Sequence, residues 1–337
     1  MSVSIKEVTT KKDLKNFVKF NIDLYKDNPY HVPGLIEEEM ITLSKEKNPA
    51  FENSEAIYFL AYKDDKIVGR IAGMIVHASN KIWGQKYARF GFVDFIDDPE
   101  VVDALFHAVE AWAQAKGMEA VHGPMGFTDM DHEGMLIEGF DQLGTMATIY
   151  NYPYYPRQME RMGYVKDQDW HEFNIPDAIP EKHLRIAEIV KKKYGLKVLK
   201  FKKRKDIQPY ARKVFETLNA SFAPLYGFAE LTPKQIDYYV RIYIPMLRLN
   251  LITLIVREED DTVVGFGISL PSLSHALQKA KGRLFPFGFI PLLKAMHSKT
   301  KIVDLYLMGI LPEYQNKGVN ALLFCDLIPE YIKLGAE

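Results

Sequence analysis

Three segments occur twice in this chain, in the same order, and that repetition limits the possible folds more than any other feature. VSIKEVTTKKDL (3–14) and LKVLKFKKRKDI (196–207) both read as an alternating strand, a polar cluster, then Asp and an aliphatic residue. Asp13 and Asp206 suit a helix N-cap or first turn, where a carboxylate meets unpaired N–H groups. LAYKDDKIVGRIAGMI (60–75) lines up with IVREEDDTVVGFGISL (255–270) as strand, acidic turn, strand, with a Val-Gly step at 68–69 and again at 264–265. VDALFHAVEAWAQAKGME (102–119) matches VNALLFCDLIPEYIKLGAE (319–337). Val102, Leu105, Val109 and Trp112 share one helical face, and Val319, Leu322 and Leu323 begin the corresponding one. Pro329 should kink or break the second helix, because it withholds a donor from the Cys325 carbonyl. One such match arises by chance in any mixed fold; three in order indicate two copies of one unit.

The length agrees, since 337 residues exceed one ordinary domain. The expected division is a first domain over 1–175, a linker and basic helix over 176–194 marked by Pro176 and Pro180, and a second domain over 195–337. Offsets between the copies grow mostly within 271–301, which reads as an insertion in the second. After Lys116-Gly117 the first copy continues through another strand and a Tyr-rich segment, whereas the second stops at Gly335-Ala336-Glu337. The second unit is therefore expected to be truncated, or completed by something else. Lys plus Arg number 43 against 44 for Asp plus Glu, so charge gives no general case for a nucleic-acid partner. A single cysteine, Cys325, excludes an intramolecular disulfide and a cysteine-rich metal site. The start, MSVSIKEV, lacks an apolar signal region and no stretch approaches a membrane span, so the expectation is a soluble cytoplasmic protein without a transmembrane segment.

The second copy contains one junction of chemical interest. Strand residues through Ile310 and Leu311 meet Pro312, then the polar run Glu313-Tyr314-Gln315-Asn316-Lys317-Gly318, then the apolar helix face that starts at Val319 and Asn320. A helix N-terminus offers free N–H groups and partial positive charge, which suits a pyrophosphate. Gly318 would let the backbone approach phosphate closely, Lys317 adds a charge, and no acid lies between Gln315 and Leu323. Gly309 in the preceding strand suggests a bulge or a close backbone approach. The bland alternative is an ordinary strand-to-helix turn containing a glycine.

This junction resembles the acyl-CoA motif of the GNAT superfamily of N-acyltransferases, whose signature is Gln or Arg, two residues, Gly, one residue, then Gly or Ala. Gln315 and Gly318 match, and Asn320 departs at the last position. The repeated strand–hairpin–strand–helix order also resembles that family's unit. The resemblance implies an α+β protein of two tandem GNAT-like units, each a mixed, mostly antiparallel sheet flanked by helices. It implies acetyl-CoA or another acyl-CoA as a substrate, without a metal. Gln315, Asn316, Lys317, Gly318, Val319 and Asn320 would hold the pyrophosphate, and the main chain of Met308, Gly309 and Ile310 would meet the pantetheine arm and the thioester carbonyl. The first copy lacks the motif. Asp97, Asp98 and Glu100 surround Pro99 at its helix start, where they repel phosphate, and Met159 stands where the family has a Tyr before Gly163-Tyr164. That copy is expected not to bind CoA, but to shape an acceptor site or hold the second copy.

Other constellations admit two readings each. DMDHEG (129–134) opens like a calcium loop, yet Phe140 replaces the Glu required at the twelfth position; a polar loop is the simpler reading, with Asp131, His132 and Glu133 able to reach an acceptor amine. The five tyrosines of 147–164 offer a phenolic acid or plain packing. Nine basic residues in 191–205 suit an anionic partner or a solvated strand edge. LFPFGFIPLL (284–293) should be neither a regular helix nor a central strand, and is expected to be buried at a domain interface or to wall a pocket. Asp304 and Tyr306 precede Gly309 on the same strand, and strict alternation would put them on one face with Met308. They are the candidate catalytic residues, Asp304 as a base toward an acceptor ammonium, directly or through water, unless it is a strand-end ion-pair partner. The function this implies is acyl transfer, by way of acetyl-CoA or a relative, to an amine of a small molecule or peptide. A tRNA-dependent aminoacyl transferase and a non-catalytic binding or interaction module are the alternatives.

Overall fold

A computed structural model of the protein describes residues 2–175 and 178–336. Pro176, one of the two prolines expected to mark the join, lies outside the described residues. The chain forms two compact units, Met1–His171 with Ser274–Leu292, and Glu172–Leu273 with Leu293–Glu337. Two features depart from the division at 175 and 195: the helix expected as a join belongs to the second unit, and part of the insertion belongs to the first.

The first unit runs β1 (Ser4–Glu7), α1 (Lys11–Leu24), α2 (Ile36–Thr42), β2 (Ser54–Lys63), β3 (Lys66–Val76), α3 (His77–Trp83), β4 (Tyr87–Phe95), α4 (Pro99–Ala115), β5 (Ala120–His122) and α5 (Tyr154–Arg161). Its sheet has the order β1-β2-β3-β4-β5, antiparallel except for the parallel β4–β5 pair. The second unit contains α6 (Glu181–Tyr194), β6 (Leu196–Leu199), α7 (Arg204–Phe222), α8 (Pro233–Tyr243), β7 (Ile252–Arg257) and β8 (Val263–Pro271). After α9 (Ser274–Ala280), which lies in the first unit, come α10 (Phe289–His297), which the division between the units cuts after Leu292, then β9 (Val303–Ile310) and α11 (Asn320–Leu334). The second sheet, β6-β7-β8-β9, repeats the order and antiparallel pairing of β1-β2-β3-β4.

The repetition extends to irregularities. Gly69 pairs with Ala61 and Gly265 with Ile255, and a register shift follows each pair, at Ala61/Tyr62 and Ile255/Val256. These are the Val-Gly glycines. A side chain at Gly69 would meet Leu105 of α4 at 2.6 Å, so the small residue lets helix and sheet approach. Asp64 and Asp65 turn the first hairpin with φ of 53° and 59°, a conformation Asp tolerates better than most residues. Asp13 and Asp206 are first-turn acids: Asp13 N–H donates to the Thr10 cap at 3.1 Å, and the Asp206 carboxylate accepts from Lys203 N–H at 3.2 Å.

In the first unit α4 buries Val102, Leu105 and Val109 in a core with Phe90, Phe95 and Tyr155. In the second, α6 and α11 cover one sheet face through Val190, Val319, Leu322 and Leu323, while α7 packs on β8 and β9. Helix α11 is not broken at Pro329; it runs to Leu334, with Leu327, Ile328, Tyr331 and Leu334 buried around the proline. One missing backbone bond is outweighed when both flanking turns bury large side chains.

Candidate functional site

β9 leads directly into the expected junction. Leu311 donates its N–H to the Val264 carbonyl at 2.8 Å, so Leu311 and, two residues back, Gly309 turn their main-chain groups toward β8. Met308 and Ile310 therefore turn theirs the other way. Among the described residues β8 is the only strand beside β9, and this outward edge is open. The alternation leaves the two residues named for pantetheine contact as the ones with outward N–H and C=O groups.

Past the strand, Pro312–Tyr314 makes a short 3-10 turn, and the Gln315 amide donates to the Ile310 carbonyl at 2.9 Å, tying the loop to the strand end. Asn316 and Gly318 have φ of 58° and 79°, and Val319 precedes the first turn of α11. Left-handed residues next to a helix start are the backbone pattern of an anion-binding nest. Residues 315–319 form a turn in which the N–H groups of Asn316, Lys317, Gly318 and Val319 make no close, well-aligned hydrogen bond among the described residues. The Lys317 ammonium lies 5.5 Å from the Tyr194 ring centre and 5.8 Å from that of Tyr314. Asn320 is exposed at the first position of α11.

Gly318 also answers to a local packing demand. A Cβ there would stand 3.0 Å from Ile186 and 3.3 Å from Val190, so the residue is held by its positive φ and by the closeness of α6. Gly309 is likewise small because a Cβ would meet Phe266 and the Ser221 hydroxyl of α7, each at 2.6 Å. The bulge in β9 falls between Leu305 and Leu307, at Tyr306, rather than at Gly309. That extra residue breaks the alternation. Tyr306 reaches the Tyr243 hydroxyl of α8 at 3.2 Å, while Met308 packs with the α6–α11 core, so the two do not share a face. Asp304 sits near the start of β9, its carboxyl pushed up to about 6 by burial and drawn partly back by a hydrogen bond with Ser272.

The equivalent junction of the first unit is closed by its own side chains. Asp98 caps α4, accepting from Glu100 N–H at 3.0 Å, and pairs with Lys63 at 2.7 Å; Asp97 accepts from Gln158 at 2.7 Å. Asp131 accepts from the N–H groups of Phe127 and Thr128, at 2.8 and 3.2 Å, which makes DMDHEG a self-clamped turn. Beside it, Glu133 has a buried Oε1 without a hydrogen-bond partner, and its carboxyl is pushed up to about 8 by burial and by the charge of Asp129. The Tyr-rich segment is mainly packing: the Tyr155 ring stacks on Phe95 at 4.2 Å and its hydroxyl lies in the buried interior.

That hydroxyl belongs to a polar network the sequence reading missed. Arg70 Nε donates to Asp94 at 2.7 Å, its guanidinium also pairs with Glu39, and Asn21, Tyr155 and Tyr25 complete the set. The signal was present as single charges in apolar strands, Arg70 within IVGRIAG and Asp94 within FVDF. Nine-residue basic clustering at 191–205 is dispersed over the end of α6, the edge strand β6 and the start of α7, with Lys197 paired to Asp261 and Lys200 to Asp326.

No family model matches the chain. It is 29% identical over 338 residues to protein YghO of Escherichia coli K12, covering 96% of this chain and 83% of that protein. It is 28% identical over 328 residues to a bacterial ceramide synthase of Caulobacter vibrioides, covering 95% and 84%. Similar solved structures include a tandem GNAT protein from the clavulanic acid biosynthesis pathway, at 13% identity and TM-score 0.49, covering 99% of this chain and 87% of that one. Another is a predicted acetyltransferase with acetyl-CoA from Clostridium acetobutylicum, at 8% identity and TM-score 0.32, covering 51% and 96%. The fold is two tandem units that share one strand order, as the resemblance read from the sequence implies. Its own repeated strand order and helix placement carry that description.

Proposed function

We propose that the chain is an acyl-CoA-dependent N-acyltransferase whose donor lies along the open edge of β9. The observation that carries this reading is continuity: the outward main-chain groups of Met308 and the outward N–H of Ile310 run into a turn with positive φ at Asn316 and Gly318 and then the start of a fifteen-residue helix. An extended arm that hydrogen-bonds a strand edge and ends in a pyrophosphate fits such a surface. The acyl end would then point up the strand, toward Tyr306 and Asp304, with Asp304 about 13 Å from Met308 at strand spacing. The amine nitrogen attacks the thioester carbon; the N–C bond forms, the C–S bond breaks, the amine loses a proton and the thiolate gains one. Asp304, whose carboxyl is raised to about 6, is the proposed proton acceptor, and the Tyr306 hydroxyl the proposed donor to sulfur.

The relative named a ceramide synthase favours one acceptor class. Ceramide is an amide of a long-chain amino alcohol, so a fatty acyl-CoA and a long-chain amine are the first pair to try. The full chain would be incubated with acyl-CoAs from acetyl to palmitoyl and a panel of polyamines, peptides, aminoglycosides and long-chain amino alcohols. Thiol release with a matching amide product by mass spectrometry is the expected result. CoA binding without turnover across the panel would favour a non-catalytic module.

A further inference from the structure

The insertion ends in an apolar finger that the fold leaves uncovered. Of the two expectations for LFPFGFIPLL, burial at a domain interface or the wall of a pocket, burial does not hold: Phe285 is 76% exposed, Phe287 72%, Ile290 51% and Leu293 53%. Helix α10, FIPLLKAMH, has no buried residue at all. Pro291 is tolerated because it stands in the first turn, where its missing N–H is not needed. The finger is built firmly. At its base Gly282 accepts from Ile36 N–H at 2.9 Å, within the first unit, and a Cβ there would strike Ile22 at 2.3 Å. At its tip Phe289 N–H donates to Leu284 at 2.8 Å, and any side chain at Gly288 would lie 1.7 Å from the Arg283 carbonyl.

Charge decides what such a finger meets. From Ser274 to Val303 the chain has Lys279, Lys281, Arg283, Lys294, Lys299 and Lys301 and no acid. All six are exposed, and Lys281, Arg283 and Lys294, which flank the tip, pair with no carboxylate among the described residues. The core of a protein interface is usually depleted of charge, particularly of lysine. Exposed aromatic and aliphatic side chains bordered by unopposed cations match the headgroup layer of an anionic bilayer, where the apolar tip enters the acyl boundary and the cations stay at the phosphates.

We propose that residues 281–294 are a membrane-docking finger that binds the surface of bilayers rich in anionic lipid. The finger stands whether or not β9 takes CoA, and its test does not involve CoA. The full chain would be sedimented with phosphatidylcholine vesicles, alone or with about one third phosphatidylglycerol, and compared with Phe285→Ser/Phe287→Ser and Lys281→Glu/Arg283→Glu double variants. These positions are exposed, so the variants should fold, which circular dichroism checks. The expected result is salt-sensitive binding to the anionic vesicles, at least tenfold weaker to neutral ones, and at least tenfold weaker for either variant. Phe287→Trp should also shift its emission to the blue on anionic vesicles. A parent that stays in the supernatant, or a Phe variant that binds as the parent does, would overturn the proposal. So would a parent whose finger only joins two copies, seen as a dimer that the Phe variant dissociates without any change in vesicle binding.

Discussion

Gly318 and Glu133 show how a single position constrains this chain. With φ of 79° and Ile186 at 3.0 Å, Gly318 resists any Cβ, so Gly318→Ala should cost roughly 1–3 kcal/mol in a urea melt. A loss of function in that variant would confuse fold with site. Glu133 gives a pH signature in the first unit. Its folded carboxyl is held well above the ordinary value of 4.5, because burial and the neighbouring charge of Asp129 favour the neutral acid. Its stabilising contribution is therefore full below about pH 4.5 and is lost as pH rises above that through the raised folded value. Glu133→Gln should melt several degrees above the parent at pH 8.5, with the gap closing at pH 4.5. Calorimetric scans at the two pH values check this, and an equal gap at both would contradict it. The reasons for the two glycines of the junction were only half legible: the motif marked their places, but the neighbours that demand them, α6 and α7, come from far along the sequence.

Among the elements, hairpins and amphipathic helices could be read directly, because their periods and turns are local. Asp64-Asp65 and the Val-Gly steps carried the hairpin geometry, and Val102, Leu105 and Val109 the core face of α4. Features set by tertiary packing could not be read. Pro329 sits inside an unbroken helix, and the Tyr306 bulge moves a candidate residue to the opposite face from Met308. The Arg70–Asp94–Glu39 network joins β3, β4 and α2, and Arg70 and Asp94 are each only about 3% exposed. Removing one partner strands a buried charge, so Asp94→Ala should lose about 3–5 kcal/mol of stability. Denaturant titration followed by hydrogen exchange would localise the loss to β3, β4 and α2. A change under 1 kcal/mol would show the charges to be dispensable.

The molecule as a whole is two copies of one strand order put to different ends. In the first the helix start is filled by Asp97, Asp98 and Glu100; in the second the turn into α11 has positive φ at Asn316 and Gly318 and no nearby acid beyond Glu313. Duplication was legible because three local patterns recur, whereas the division into compact units was not, since α9 is coded in the second copy and folds with the first. Cutting the chain at residue 195 would strip the first unit of α9, so CoA binding at the start of α11 is best tested on the full chain. Asn320 provides the means. It is exposed at the first position of α11, so Asn320→Glu adds negative charge at the proposed phosphate site while complementing the helix dipole. Like charges about 4 Å apart repel by about 1 kcal/mol in water and several-fold more when partly desolvated. Calorimetric titration with CoA should give micromolar binding for the parent and at least a tenfold loss for Asn320→Glu, at an unchanged or higher melting temperature. A folded Asn320→Glu protein that binds CoA as the parent does would remove this junction as the donor site.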